Sequence, residues 1–136
     1  MWMRAVRLWL LLALAMIANG TVRALVLEPL LGAHTAELAA AGTAIVLILL
    51  ITRPFVRSLG AASVPEAIGL GALWTAMTVA FEFLFGHYVI GASWAALLAN
   101  YDAIDGRVWP VVLVAIAIAP FVWRVRPRPR LTPRPA

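Results

Sequence analysis

The chain has 136 residues, 64% of them hydrophobic and only 12% charged, and its net charge of +5 is carried on the basic side by arginine alone. Soluble domains carry about a quarter of their residues charged, and a chain that forms a single domain of this size cannot bury so much apolar surface in water, so lipid must cover it. The lack of cysteine excludes disulfides, thiolate metal sites and cysteine nucleophiles, and arginines that flank apolar runs point to anionic lipid headgroups rather than nucleic acid.

Four apolar segments can be marked, at about Ala5–Leu27, Ala36–Ile51, Ala67–Ile90 and Val108–Trp123. A membrane-spanning helix needs roughly 17–25 residues. The first and third segments meet this easily, while the second and fourth need flanking residues or a locally thin bilayer. Each is predicted to be helical, because lipid offers no hydrogen-bond partners to an open backbone. The expected fold class is all-α: a polytopic membrane protein with a four-transmembrane-helix bundle over residues 1–123. An Arg/Pro-rich tail follows over residues 124–136. Gly42, Gly69 and Gly71 are candidate points of close helix contact.

Arg4 and Arg7 ahead of Leu8–Ile17 resemble the charged and apolar parts of a signal peptide. The apolar run continues through Val22 to Leu27, which is too long for one, so an uncleaved first helix is expected. If four helices alternate in direction, Arg4, Arg7, Arg53, Arg57, Arg124, Arg126, Arg128, Arg130 and Arg134 share one side, against Arg23 and Arg107 on the other. The positive-inside rule then places both termini in the cytoplasm. The alternation of arginine and proline in the tail rules out a helix or strand there. An extended, disordered cytoplasmic tail touching anionic headgroups is expected.

Between the first two segments, Pro29 is expected to end the helix and Glu28–Thr35 to form a short outer loop. His34 or Thr35 would cap the second helix, with Glu37 near its positive end. Ser63, ahead of Pro65 and Glu66, reads as a helix start. After Gly91, Ser93 is placed to cap a short helix on which Trp94, Leu97, Leu98 and Tyr101 share one apolar face. That pattern suits a helix lying in the outer interface. Asn100, Asp102 and Asp105 would face water, and Trp109 would mark re-entry at interface depth.

Glu82 is the anomaly. It lies about 12 Å from the outer end of its segment at helical rise, where an ionised carboxylate must be protonated, paired or wet. Arg23, near the outer end of the first segment, is the expected partner, and Asn19 lies one turn below it. With Glu37, His87 and Arg107, every helix brings a polar group to the outer half. The expected cluster is therefore Asn19, Arg23, Glu37, Glu82, His87 and Arg107. It reads either as a structural clasp closed by Arg23 and Glu82 or as a site for an ion, a proton or a small polar ligand. A third, weaker reading draws a metal site from His34, Glu37, Glu82 and His87, or a haem between His34 and His87, although the ligands are few and one histidine sits in a loop. No metal, cofactor or catalytic set is expected.

The stretch FEFLFGHYVIGASWAALLANYDAIDGRVW, with NGTVRALVLEPLLGAHTAE in the first hairpin, resembles a group of small bacterial four-helix membrane proteins to which no activity is assigned. The resemblance implies the four-helix fold and an inner-membrane location, and nothing about chemistry. The expected function is that of a non-catalytic structural or accessory membrane component, alone, as a homo-oligomer or in a membrane complex. The alternative is a small oligomeric transporter or channel that uses Glu82 as its coupling or ligand-binding group.

Overall fold

A computed structural model describes residues 1–60, 62–102 and 106–124. The expectations for the tail beyond Arg124 and for Asp105 lie outside these residues. Among the described residues the chain is all helical, with no strand. The elements are α1 (Trp2–Val22), a π-helical turn (Arg23–Leu27), α2 (Glu28–Leu31), α3 (Ala33–Ser58), α4 (Val64–Tyr88), α5 (Trp94–Ala99) and α6 (Trp109–Trp123). Trp2–Leu31, Ala33–Ser58 and Val64–Tyr88 are long and apolar enough to cross a membrane, whereas Trp109–Trp123 is apolar but shorter.

Pro29 does not end the first helix. The α1 helix continues through the π turn into α2, and a single residue, Gly32, links it to α3. Proline cannot donate a backbone N–H, and in an α-helix its ring presses on the carbonyl four residues earlier. The widened turn just before it takes up that misfit: the Glu28 N–H bonds the Arg23 carbonyl, five residues back. Gly32 turns the chain with φ 81° and ψ 161°, a conformation that favours a residue without Cβ. The expected loop over Glu28–Thr35 is thus reduced to one residue. His34 and Thr35 sit inside the first turn of α3, and neither caps it; Gly32 is the N-cap residue.

Helix α3 runs further in both directions than its apolar core and carries Pro54 inside it. Near that proline the Thr52 hydroxyl bonds back to the Ile48 carbonyl at 2.7 Å, and the Trp123 indole donates to the Leu49 carbonyl at 2.8 Å. Helix α4 starts with a full capping box. The Ser63 hydroxyl accepts from the Glu66 N–H, and the Glu66 carboxylate accepts from the Ser63 N–H at 2.7 Å.

Side-chain contacts fix the helices in alternating directions. Arg4, at the start of α1, donates to the Ser58 hydroxyl at the end of α3. Asn19, near the other end of α1, donates to the Ala40 carbonyl early in α3. Trp109, opening α6, reaches Glu82 late in α4. Arg4, Arg7, Arg53, Arg57 and Arg124 therefore lie towards one end of the molecule, and Arg23 and Arg107 towards the other.

Helix α6 packs against both α3 and α4, while α1 lies mainly on α3. The tightest approach is at Gly71, where a Cβ would stand 2.2 Å from the Ala117 carbonyl oxygen. Gly69 faces only the tip of the Trp2 ring, and Gly42 faces open space, so neither is a backbone contact point. Tryptophan tips tie helices together: Trp74 donates to the Ala5 carbonyl at 3.1 Å and Trp9 to the Thr78 hydroxyl at 3.0 Å. Large apolar residues such as Leu14 and Leu50 face outward. The core is a narrow seam around Trp74, Ile48, Leu70, Val56 and Val112.

Candidate functional site

Towards the Gly32 end the helices part around a half-open cavity of about 440 Å³. Its deeper wall is apolar, with Trp9, Met16, Ile48, Phe81, Phe85 and Ile116 among its residues. Its polar side chains include Asn19, Arg23, Glu37, Glu82, Asn100 and Arg107. Five of the six residues singled out from the sequence thus meet at one cavity. His87 is the exception. Its Nδ1–H donates to the Ala92 carbonyl at 2.8 Å and its ring stacks on Trp94 at 3.8 Å, so it serves to seat α5.

Glu82 does not pair with Arg23. One carboxylate oxygen, Oε2, accepts the Tyr101 phenol at 2.5 Å and the Trp109 indole N–H at 2.7 Å. Asn100 lines the same cavity. Arg23 turns instead to Glu28, with Nη1 3.5 Å from Oε2. The π turn explains the choice. In an α-helix, residues five apart lie on different faces, but an i→i+5 turn brings Arg23 and Glu28 nearly one above the other.

The donors come from the short covering helix and from the start of α6. The Ser93 hydroxyl accepts the Ala96 N–H at 3.1 Å and so begins α5. Leu97 is buried against Gly86, where a Cβ would lie 2.6 Å from Leu97 Cδ2. Leu98 points outward, and Tyr101 turns in to Glu82. The four apolar positions therefore do not share one face. Asn100 was expected in water but lines the cavity, whereas Asp102 is exposed. Under α5 lies an aromatic stack: Phe83 sits 6.3 Å from Trp94 and 5.7 Å from Tyr101. Burial, and then the hydrogen bond to Glu82, push the Tyr101 phenol up to about 12, so it remains a donor throughout the physiological range.

Asn100, Tyr101 and Trp109 are the site residues that reasoning from the sequence missed. The available clue was that Tyr and Trp join an apolar body to a polar tip that seeks a partner when buried, and both flank the hairpin that returns to Glu82. His34 stands with Glu37 and Arg107 around a second, shallow polar pocket at the cavity mouth. Among the described residues no three His, Asp or Glu side chains converge as a metal site would require.

Chemically the site offers a carboxylate held by neutral donors, an apolar and aromatic wall, and a polar rim. Comparisons with protein families, with curated proteins and with solved structures find no match.

Proposed function

We propose that this chain is a small polytopic protein of the bacterial cytoplasmic membrane, with four spanning helices and both termini in the cytoplasm. In this reading α5 lies in the outer interface, and the cavity opens outward to bind a small ligand without transforming it. Glu82 is the principal ligand group. One observation carries the reading: Glu82 faces the cavity on two neutral donors, and among the described residues no cation pairs with it. A pure structural clasp would have spent that charge on Arg23. The cavity volume also falls in the range of about 300–1,000 Å³ typical of small-molecule sites.

The experiment is a thermal-unfolding screen of the full chain in micelles against a panel of small cations, anions and neutral amphiphiles. At least one class should raise the unfolding midpoint of the wild type and fail to do so for Glu82→Gln. If no compound shifts the wild type, the ligand-site reading is wrong. Orientation has its own test. A reporter active only outside the cytoplasm, fused to the C-terminus, should be silent, and activity there would overturn the topology.

A second reading, an accessory subunit, draws on α1, which buries only Ala5, Trp9 and Leu12 along its length. Most of that helix is available to a partner helix in the bilayer. Elution of the chain in mild detergent as a stoichiometric complex with another membrane protein would favour it.

A further inference from the structure

We propose that the cavity takes a lipophilic organic cation, its positive centre against Glu82 and its apolar body among the rings of Trp9, Phe81, Phe85 and Trp109. This deepens the reading of the cavity as a ligand site and rests on it.

Charge selects the sign. Among the lining residues, Arg23 and Arg107 stand against Glu37 and Glu82. Arg23 already pairs with Glu28, so the set of two arginines and three glutamates leaves one negative charge in excess. That excess is most useful at Glu82, the acid whose described partners are all uncharged. The Tyr101 and Trp109 donors replace water around the carboxylate without supplying a counter-charge.

The walls select the kind of cation. Trp9 meets Phe81 edge-on at 5.9 Å, and Phe81 stacks on Phe85 at 5.1 Å. With Trp109 these rings make the cavity aromatic where Glu82 stands. Ring faces attract cations, and most effectively where water is excluded. A strongly hydrated ion such as Ca²⁺ or Mg²⁺ demands about six or more oxygen ligands, whereas this wall is largely carbon. A bare proton needs no space, yet the cavity holds about 440 Å³. An amine or quaternary onium with apolar substituents fits the carboxylate, the rings and the volume together.

The test uses two probes of nearly the same shape and opposite charge, tetraphenylphosphonium and tetraphenylborate. Saturable binding to the full chain in nonionic micelles is measured by equilibrium dialysis, with empty micelles as the baseline. Tetraphenylphosphonium should bind saturably and more tightly than tetraphenylborate. Glu82→Gln should weaken the cation by about tenfold or more, the worth of a charge-assisted contact, while leaving the anion no weaker. Phe85→Leu keeps the carboxylate and removes a ring. It should weaken the cation about threefold to tenfold, and it decides the matter if Glu82→Gln loses its helix content. Tetraphenylborate binding as tightly as the cation, or indifference of the cation to Glu82→Gln or Phe85→Leu in folded protein, would overturn the inference and leave a cavity of other specificity. Saturable binding of neither probe overturns the cation inference, and the broader ligand-site reading is then decided by the separate thermal screen.

Discussion

Tyr101 donates its phenol to Glu82 Oε2 at 2.5 Å, across 19 residues of chain. Trp109 donates to the same oxygen from the start of α6. The hairpin that joins α4 to α6 is therefore fastened to Glu82 on both sides of its Gly106 turn. The carboxylate that faces the cavity also holds its cover in place. Tyr101→Phe keeps the ring on Phe83 and removes only the donor. It should lower stability by about 1 kcal/mol, and Glu82→Gln should cost at least as much. Because both changes break one bond, the double variant should cost less than the sum of the singles. A double-mutant cycle from chemical unfolding in micelles would read this coupling, and strict additivity would show that the bond carries no stability.

Burial of Tyr101, reinforced by this bond, sets a pH dependence. Tyr101 titrates at about 12 in the folded chain, raised first by burial and then by Glu82, against about 10 for an unfolded tyrosine. The folded-state pKa is the higher of the two, so the contribution to stability is fully present below pH 10 and is lost as pH rises from about 10 to about 12. The chain has two tyrosines. In a Tyr88→Phe background, near-ultraviolet difference absorbance should show the remaining phenol ionising near pH 12. Ionisation near pH 10 in folded protein would show that Tyr101 is in water.

Some of this was legible in the sequence and some was not, for identifiable reasons. Glu82 stands out because one acid in an apolar run has no cheap explanation. Counting residues at helical rise placed Arg23, Asn19, Glu37 and Arg107 towards the same end, and all four line the Glu82 cavity. The partner of Arg23 was not legible, because it depends on a π turn that shifts Glu28 beneath it. Pro29 is expected to end its helix, yet helix runs on through it, and α3 likewise runs through Pro54. Local preference yields there to the need to satisfy the backbone over a long apolar stretch. The role of Asn100 and Tyr101 depends on where α5 is set down. That is decided by Leu97 against Gly86 and by His87 beneath Trp94, not by periodicity.

The glycines separate packing from composition. At Gly71 an added Cβ meets the Ala117 backbone, which cannot move unless α4 and α6 part. Gly71→Ala should cost about 1–3 kcal/mol. Gly69→Ala meets only the far end of the Trp2 side chain, 2.9 Å away, and should cost little. Gly42→Ala meets nothing and should be neutral or slightly stabilising, since alanine is the better helix former by about 1 kcal/mol. Unfolding midpoints of the three variants should follow that order. A tolerated Gly71→Ala would contradict the close contact of α4 with α6.

The absence of cysteine makes the wetness of the cavity directly measurable. Gly20 lines the cavity, and a Cβ there meets nothing within 4 Å. Gly42 also has open space at its Cβ but lies on the exposed flank of α3. The two are close in depth, because Asn19 bonds the Ala40 carbonyl and Gly42 is two residues further on, about 3 Å at helical rise. Thiol alkylation requires thiolate and therefore water. On the proposed outward-opening topology, a membrane-impermeant maleimide added from outside intact cells should label Gly20→Cys quickly, as a position on the cavity, and Gly42→Cys slowly, as a position on the outer flank of α3. Equal labelling of both would mean that Gly42 is not in lipid. No labelling of Gly20→Cys from outside, with labelling after the cytoplasmic side is exposed, would mean that the cavity opens inward.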